Sequence, residues 1–396
     1  MIRFKLRSVF LFFSFFFLIL GNSSYFALSG KNVFFEYLAF FLILALMLIS
    51  YFRFNVRYRV LNGVIFLIVS ILFNYGILLQ NLSTNIKIRL VFSMLIIASL
   101  ALLSDNYFIY PSDLKISVYG ILGGILFCVI IALISRVSLT TLSVEGFGFS
   151  GFNGGLQHKN YLAADLVAVL WGLFSYAKFK KISKFDKFTI FICLTLLILS
   201  DSRGGLLLFC AFLLVEFCDR FFDKFKKVDK FVVIVFSILS IIFVVKILYL
   251  IVVEKSGSYA DRSNGLTNYL NMYSSDKFHM IFGNAEMAFQ DNGKTYTENI
   301  RSVTGWDGTT ELAALSILVK NGLLGFWGYG LIFLKRILDA FQKREKVYKI
   351  IMTTGIVLLL VSSFVENYLV NMQIAFGVYC YLLIGSANGA FSKNED

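Results

Sequence analysis

Charge is scarce in this sequence. Asp, Glu, Lys and Arg make up 15% of its 396 residues, against about 25% in an ordinary soluble domain, and there is a single proline. With 58% of the residues hydrophobic, that composition excludes a soluble globular protein. The five cysteines, Cys128, Cys193, Cys210, Cys218 and Cys380, lie within or at the edges of apolar runs with no paired spacing in a polar loop, which argues against a disulfide framework or a zinc site. The sequence has two histidines and lacks His-x-x-x-His and Cys-x-x-Cys patterns, a Walker phosphate loop and a Gly-x-Ser-x-Gly elbow. ATP-driven, metal-hydrolytic and serine-hydrolase mechanisms are therefore unsupported, and neither a metal nor a cofactor is expected.

Long apolar runs fill the chain instead. Phe231 to Val253 contains Lys246 as its one charge and exceeds the ~20 residues needed to cross a bilayer. Hydropathy predicts twelve helices, near 8–27, 33–52, 60–80, 88–104, 116–135, 161–178, 187–200, 204–218, 231–253, 311–334, 348–365 and 370–388. The expected fold class is an all-α polytopic membrane protein: transmembrane helices 1–9 over residues 1–253, one large loop over 254–310, and helices 10–12 with a short tail over 311–396. The run from Val9 to Leu20 follows Arg3, Lys5 and Arg7 and ends at Gly21-Asn22-Ser23-Ser24 without a small-residue cleavage pattern, so it reads as a first span and not as a signal peptide.

A net charge of +13 can serve nucleic acid or orient membrane loops, and position decides between them. With the N terminus cytoplasmic, most of the 37 basic residues fall on cytoplasmic segments, in clusters such as Arg53/Arg57/Arg59, Lys178 to Lys187, Arg220 to Lys230 and Lys335 to Lys349. The expectation is both termini in the cytoplasm, a lipid bilayer as partner and no nucleic acid. The outer face then carries the 254–310 loop, in which acids outnumber bases, the glycine-rich loop 136–160, and the short turn Asp201-Ser202-Arg203-Gly204-Gly205. The two halves of the chain do not mirror each other, and polar groups gather on one face and not at the midplane, which weakens a transporter reading built on internal repeats.

Several residues on that face are candidates for chemistry. Arg203 sits between two short apolar runs, where a charge is costly unless paired or hydrated. Beside a helix N-terminus, with Asp201 or Ser202 as cap and Gly204 and Gly205 leaving the backbone open, it can hold a phosphate; alternatively it pairs with Asp201 and anchors the turn in the headgroups. At the end of the glycine-rich loop, Asn160 is a plausible N-cap, Lys159 can meet phosphate, and His158 is either a base or a bystander. Asp165, one turn into the next span, is expected to line a hydrated cavity or to meet a cation such as Arg203. In the large loop, Arg262, His279, Glu298, Arg301 and Asp307 are acceptable ligands for a polar substrate. Glu311, opening the tenth span, is either a general base at the membrane rim or a helix cap with Thr309 or Thr310. Lys246 and Lys320, inside apolar runs, face an aqueous interior or snorkel.

In order along the chain, the fragments HKNYLA, LSDSRGG, ADRSNGLTNYL, IFGNAE and TTELAALSILVKNGLLGF, over roughly residues 145 to 335, resemble the O-antigen polymerase and O-antigen ligase superfamily. The resemblance implies a glycosyltransferase of the bacterial inner (cytoplasmic) membrane. Its substrate is an oligosaccharide on undecaprenyl pyrophosphate, it uses no nucleotide sugar and no metal, and its partner proteins are a chain-length regulator and a flippase. It implies pyrophosphate contact for Ser202 and Arg203 and a loop-arginine role for Arg262. Family ligases carry a histidine-asparagine pair at the entrance of the helix that ends in a Gly-Leu-x-Gly turn, here Gly322-Leu323-Leu324-Gly325; counting back from that turn reaches Glu311 and no histidine. That favours a polymerase of O-antigen (lipopolysaccharide), capsule or exopolysaccharide, with Arg203 and Arg262 as cations, Glu311 as base, and His158, Lys159, Asn160, Asp165 and Arg301 lining the substrate site. A ligase and a lipid-linked oligosaccharide flippase remain the alternatives.

Overall fold

The computed structural model describes residues 2–53, 60–105, 107–141, 151–222, 258–290, 292–305, 310–389 and 391. The ninth expected span, Lys246 and Asp307 lie outside these residues, and Arg262 is described for its backbone alone. The chain is mostly helical. The helices are α1 (Ile2–Gly21), α2 (Ser24–Leu28), α3 (Asn32–Arg53), α4 (Val60–Leu79), α5 (Thr84–Leu102), α6 (Pro111–Ile134), α7 (Lys159–Ala177), α8 (Lys184–Leu199) and α9 (Arg203–Phe222). After these come α10 (Ser258–Tyr273), α11 (Lys277–Phe282), α12 (Ala285–Ala288), α13 (Tyr296–Thr304), α14 (Ala313–Gln342), α15 (Lys346–Val365) and α16 (Ala375–Gly389). Seven of the described helices, α3 to α7, α14 and α15, are long and apolar enough to cross a membrane. This is a multi-pass membrane protein.

Helix ends follow local sequence. Pro111 opens α6, where its missing N–H is harmless, and Ser183 and Asp186 form a reciprocal capping box at α8. In the bundle, α1 packs on α3 and α6, α4 on α5 and α14, and α7 on α6, α8 and α9. α16 contacts α5, α7 and α15, and every residue from Ala375 to Asn388 is buried. A helix apolar all round belongs inside a bundle. The twelfth expected span is thus shorter than hydropathy suggests, because 366–374 is not helical.

One end of the bundle gathers ion pairs: Arg7 with Asp113 at 3.0 Å, Arg336 with Asp105 at 2.8 Å, Lys335 with Asp339, Lys115 with Asp186 at 2.9 Å and Lys178 with Glu216 at 2.7 Å. The opposite end carries the glycine-rich loop and α10 to α13. There Thr140–Thr141 pairs antiparallel with Gly151–Phe152, and the Ser24 N–H donates to the Gly155 carbonyl. Gly155 has φ +74°, and a Cβ there would run into the Cys128 carbonyl, so this glycine serves close packing.

The helices α10 to α13 build a second small core, with Tyr269, Tyr273, Met287 and Ile300 packed on Leu312, Leu315, Leu318 and Val319 of the α14 entrance. α14 is interrupted at Gly322, whose φ of 61° and ψ of −156° are non-helical. A Cβ at Gly322 would meet the Ile281 carbonyl and the Gly283 amide, so the break lets α11 lie directly against α14. Gln80, just after α4, clamps the same segment, donating to the Phe282 carbonyl and accepting from the Ala285 N–H.

Candidate functional site

At the loop-bearing end, α7 and α9 begin side by side. His158 and not Asn160 is the N-cap of α7; its Nδ1 accepts from the Asn160 N–H at 3.2 Å, so one ring nitrogen is committed to capping. The Asn160 side chain turns across the bundle instead. Its Oδ1 accepts from Ser202 Oγ at 2.9 Å and its Nδ2 donates to Glu366 Oε1 at 2.8 Å. Ser202, fully buried, accepts in turn from the Gly205 N–H at 3.1 Å and so caps α9, as the turn sequence predicts. Gly205 does not face a ligand: its α-carbon packs on Ala163, and a side chain there would collide with it.

Asp201, with φ 47°, pairs with Lys159 at 3.6 Å and not with Arg203. Arg203 opens α9 exposed, with no hydrogen bond or ion pair to the described residues. The pairing that would reduce it to a local anchor with Asp201 is therefore absent. Lys159, half-buried, stretches over Gly151 on its way to Asp201.

Glu311 is exposed and precedes α14, which starts at Ala313 with Leu312 as N-cap and no side-chain cap bond. Glu311 therefore stands one residue ahead of the N-cap. Glu311 and Glu366 both lie within electrostatic reach of Tyr161 and Tyr368, so the α14 entrance, the α7 entrance and the α15–α16 connection converge on one place.

Asp165 lies within α7. It is fully buried and accepts the Phe376 N–H at 2.8 Å, satisfying an otherwise orphaned donor in the first turn of α16. Among the described residues it makes no ion pair with Arg203, which corrects the reading of Asp165 as the partner of that cation, and it lies within electrostatic reach of Tyr368. In the outer helices, Asp276 caps α11 and bonds the His279 ring, which holds its carboxyl below the ordinary carboxylate range. Glu298 forms a capping box with Thr295, and the Thr295 N–H likewise holds its carboxyl low. Arg301 lies half-buried in α13 and Arg262 near the start of α10. Lys320 stands 5.4 Å over the Tyr296 ring, a cation–π contact between the α14 entrance and the outer helices.

Glu366 is the site residue that sequence reasoning overlooked. It stands alone between two apolar runs, and that isolation was the available signal: one acid in a short polar break, Glu366-Asn367, on the same side as Arg203. The assembled site holds an exposed guanidinium, two carboxylates and a tyrosine pair at the mouth of a membrane bundle. Neither a protein-family profile nor a curated protein sequence matches this chain.

Proposed function

We propose that the chain polymerises lipid-linked oligosaccharide repeat units on the outer face of the cytoplasmic membrane. The arrangement behind this reading is twelve spans with both termini cytoplasmic. The observation that carries it is Arg203: exposed at the start of α9 and without an ion pair among the described residues, beside a Ser202 fastened to Asn160, it suits an anionic headgroup arriving from the membrane. The ion-paired end is then the cytoplasmic one, in keeping with the basic clusters of the sequence.

In this mechanism the donor is a growing glycan on undecaprenyl pyrophosphate. A hydroxyl oxygen of the incoming lipid-linked repeat unit bonds to the anomeric carbon, the bond from that carbon to the pyrophosphate oxygen breaks, and undecaprenyl pyrophosphate departs with the bonding pair. The hydroxyl proton passes to Glu311. Direct displacement inverts the anomeric centre. Because pyrophosphate is already a good leaving group, the protein supplies charge neutralisation, a base and positioning. Arg203 neutralises the departing charge with Ser202 beside it, and Arg262 is the second cation. His158, Lys159, Asn160 and Arg301 shape the surroundings. O-antigen, capsule and exopolysaccharide repeat units share the chemistry.

The test is synthesis by the purified protein supplied with lipid-linked repeat units alone. A ladder of lengthening glycans is expected, with Arg203→Ala about 10²–10³-fold slower, as for loss of one preorganised charge-stabilising donor. Arg203→Lys should recover little, since a point charge does not reproduce the two-pronged fork. A full ladder from Arg203→Ala, or glycan transfer that needs a lipid A core acceptor, would overturn the reading.

A further inference from the structure

The connection between α15 and α16 is buried although it is not helical, with Glu366, Tyr368, Leu369 and Val370 all withdrawn from solvent. Two of these residues grip Asn160. Glu366 accepts from its side-chain amide at 2.8 Å, and the Tyr368 hydroxyl donates to its main-chain carbonyl at 3.0 Å. The Asn160 side-chain nitrogen donates to Glu366 and its oxygen accepts from Ser202. The Ser202 hydroxyl then donates to Asn160, which leaves its oxygen to receive the Gly205 N–H. Every direction in this four-member chain follows from the one carboxylate at its end. Arg203 lies in sequence between Ser202, the cap of α9, and Gly205 in its first turn, the two residues that the chain holds.

We propose that Glu366 is a positioning residue for Arg203: through Asn160 and Ser202 it fixes the first turn of α9, and with it the point from which the guanidinium meets the pyrophosphate of a polyprenyl donor. This rests on the polymerase reading of the site. Glu366 is 3% exposed and bound to an amide, whereas Glu311 is exposed, so the two carboxylates divide the work between support and proton transfer. Removing Glu366 leaves the Asn160 amide without its orienting partner, and the cap at Ser202 loses its fixed direction.

The experiment measures binding of farnesyl diphosphate to the purified full chain in detergent. Arg203→Ala and Glu366→Ala should each weaken binding about tenfold, in the range expected for a hydrogen bond or contact involving a charged group. In the Arg203→Ala background Glu366→Ala should add less than about twofold, because a residue acting through another shows strong coupling with it. Glu366→Gln, whose amide oxygen accepts the same bond, should bind within about threefold of wild type, and its turnover should follow its binding. Asn160→Ala carries the same expectation as Glu366→Ala, so the test stands even where the latter does not fold. If Arg203→Ala weakens binding while Glu366→Ala and Asn160→Ala do not, or if the losses add, the positioning role is overturned and the pyrophosphate reading survives. If Glu366→Gln binds normally but does not turn over, Glu366 is the base and the proposal is again overturned. If Arg203→Ala binds as wild type does, the pyrophosphate reading falls and the positioning role falls with it.

Discussion

The two ends of the bundle treat charge in opposite ways. At one end each buried or half-buried cation described above has a carboxylate: Arg7 has Asp113, Arg336 has Asp105 and Asp339, Lys335 has Asp339, Lys115 has Asp186 and Lys178 has Glu216. Neutral donors complete these pairs; Asn388 and Asn62 both donate to Asp105, and the N–H groups of Ile109 and Tyr110 donate to Asp113. At the other end Glu366 accepts from the Asn160 amide, Asp201 takes Lys159, and Arg203 stands exposed. A buried ion pair is a weak net stabiliser but is costly to break, so the first end behaves as a fastening. The second end leaves the Arg203 guanidinium exposed and without an ion pair among the described residues, at a place accessible from outside the bundle, which suits a site that must receive a charged ligand.

Substitutions can separate these roles. The largest effect is expected at the fastened end. Asp113→Ala would leave Arg7 buried without its carboxylate and release two N–H groups, a loss of about 3–5 kcal/mol in stability. Unfolding in detergent should show it, and the synthesis rate at matched folded concentration should stay at the wild-type value. A variant that folds normally but synthesises poorly would erase the contrast between the ends. Next is Glu311→Gln. The substitution keeps the size of an exposed side chain, so stability should change by less than about 0.5 kcal/mol, while glycan synthesis falls by about a hundredfold, the lower range for a general base. Near-normal synthesis would take Glu311 out of the reaction. The smallest effect is expected for Asp201→Asn, which removes an exposed ion pair worth about 0–1 kcal/mol. Rates should change by less than about threefold, within that energy range. A much larger loss would show that the Lys159–Asp201 pair, and not Arg203 alone, organises the turn.

Much of the scaffold is legible in the sequence because apolar runs and helix starts are local. The spans from α3 to α7, α14 and α15 follow their hydropathy, and a cap on α9 from Asp201 or Ser202 is expected, with the structure choosing Ser202. Sequence also singles out Arg203 as an unusual charge between two short runs. What it does not supply is who meets whom across the bundle. Asp165 reads as a cavity residue until the Phe376 amide, 211 positions later, is brought to it. Asn160 reads as a cap until His158, two residues earlier, takes that role and frees it for Ser202 and Glu366. Glu366 is invisible for the same reason: its importance lies wholly in a partner 206 positions away.

The burial of α16 bears on how the protein is made. This helix sits among α5, α7 and α15, and it leaves the ribosome after all of them. Until α16 has been made, its contacts with α5, α7 and α15 cannot form and Asp165 lacks the Phe376 N–H that it accepts. Closure of the bundle is therefore a late event set by the order of translation, and the outer site, whose Glu366 and Tyr368 lie just ahead of α16, is assembled only when that central piece is threaded home.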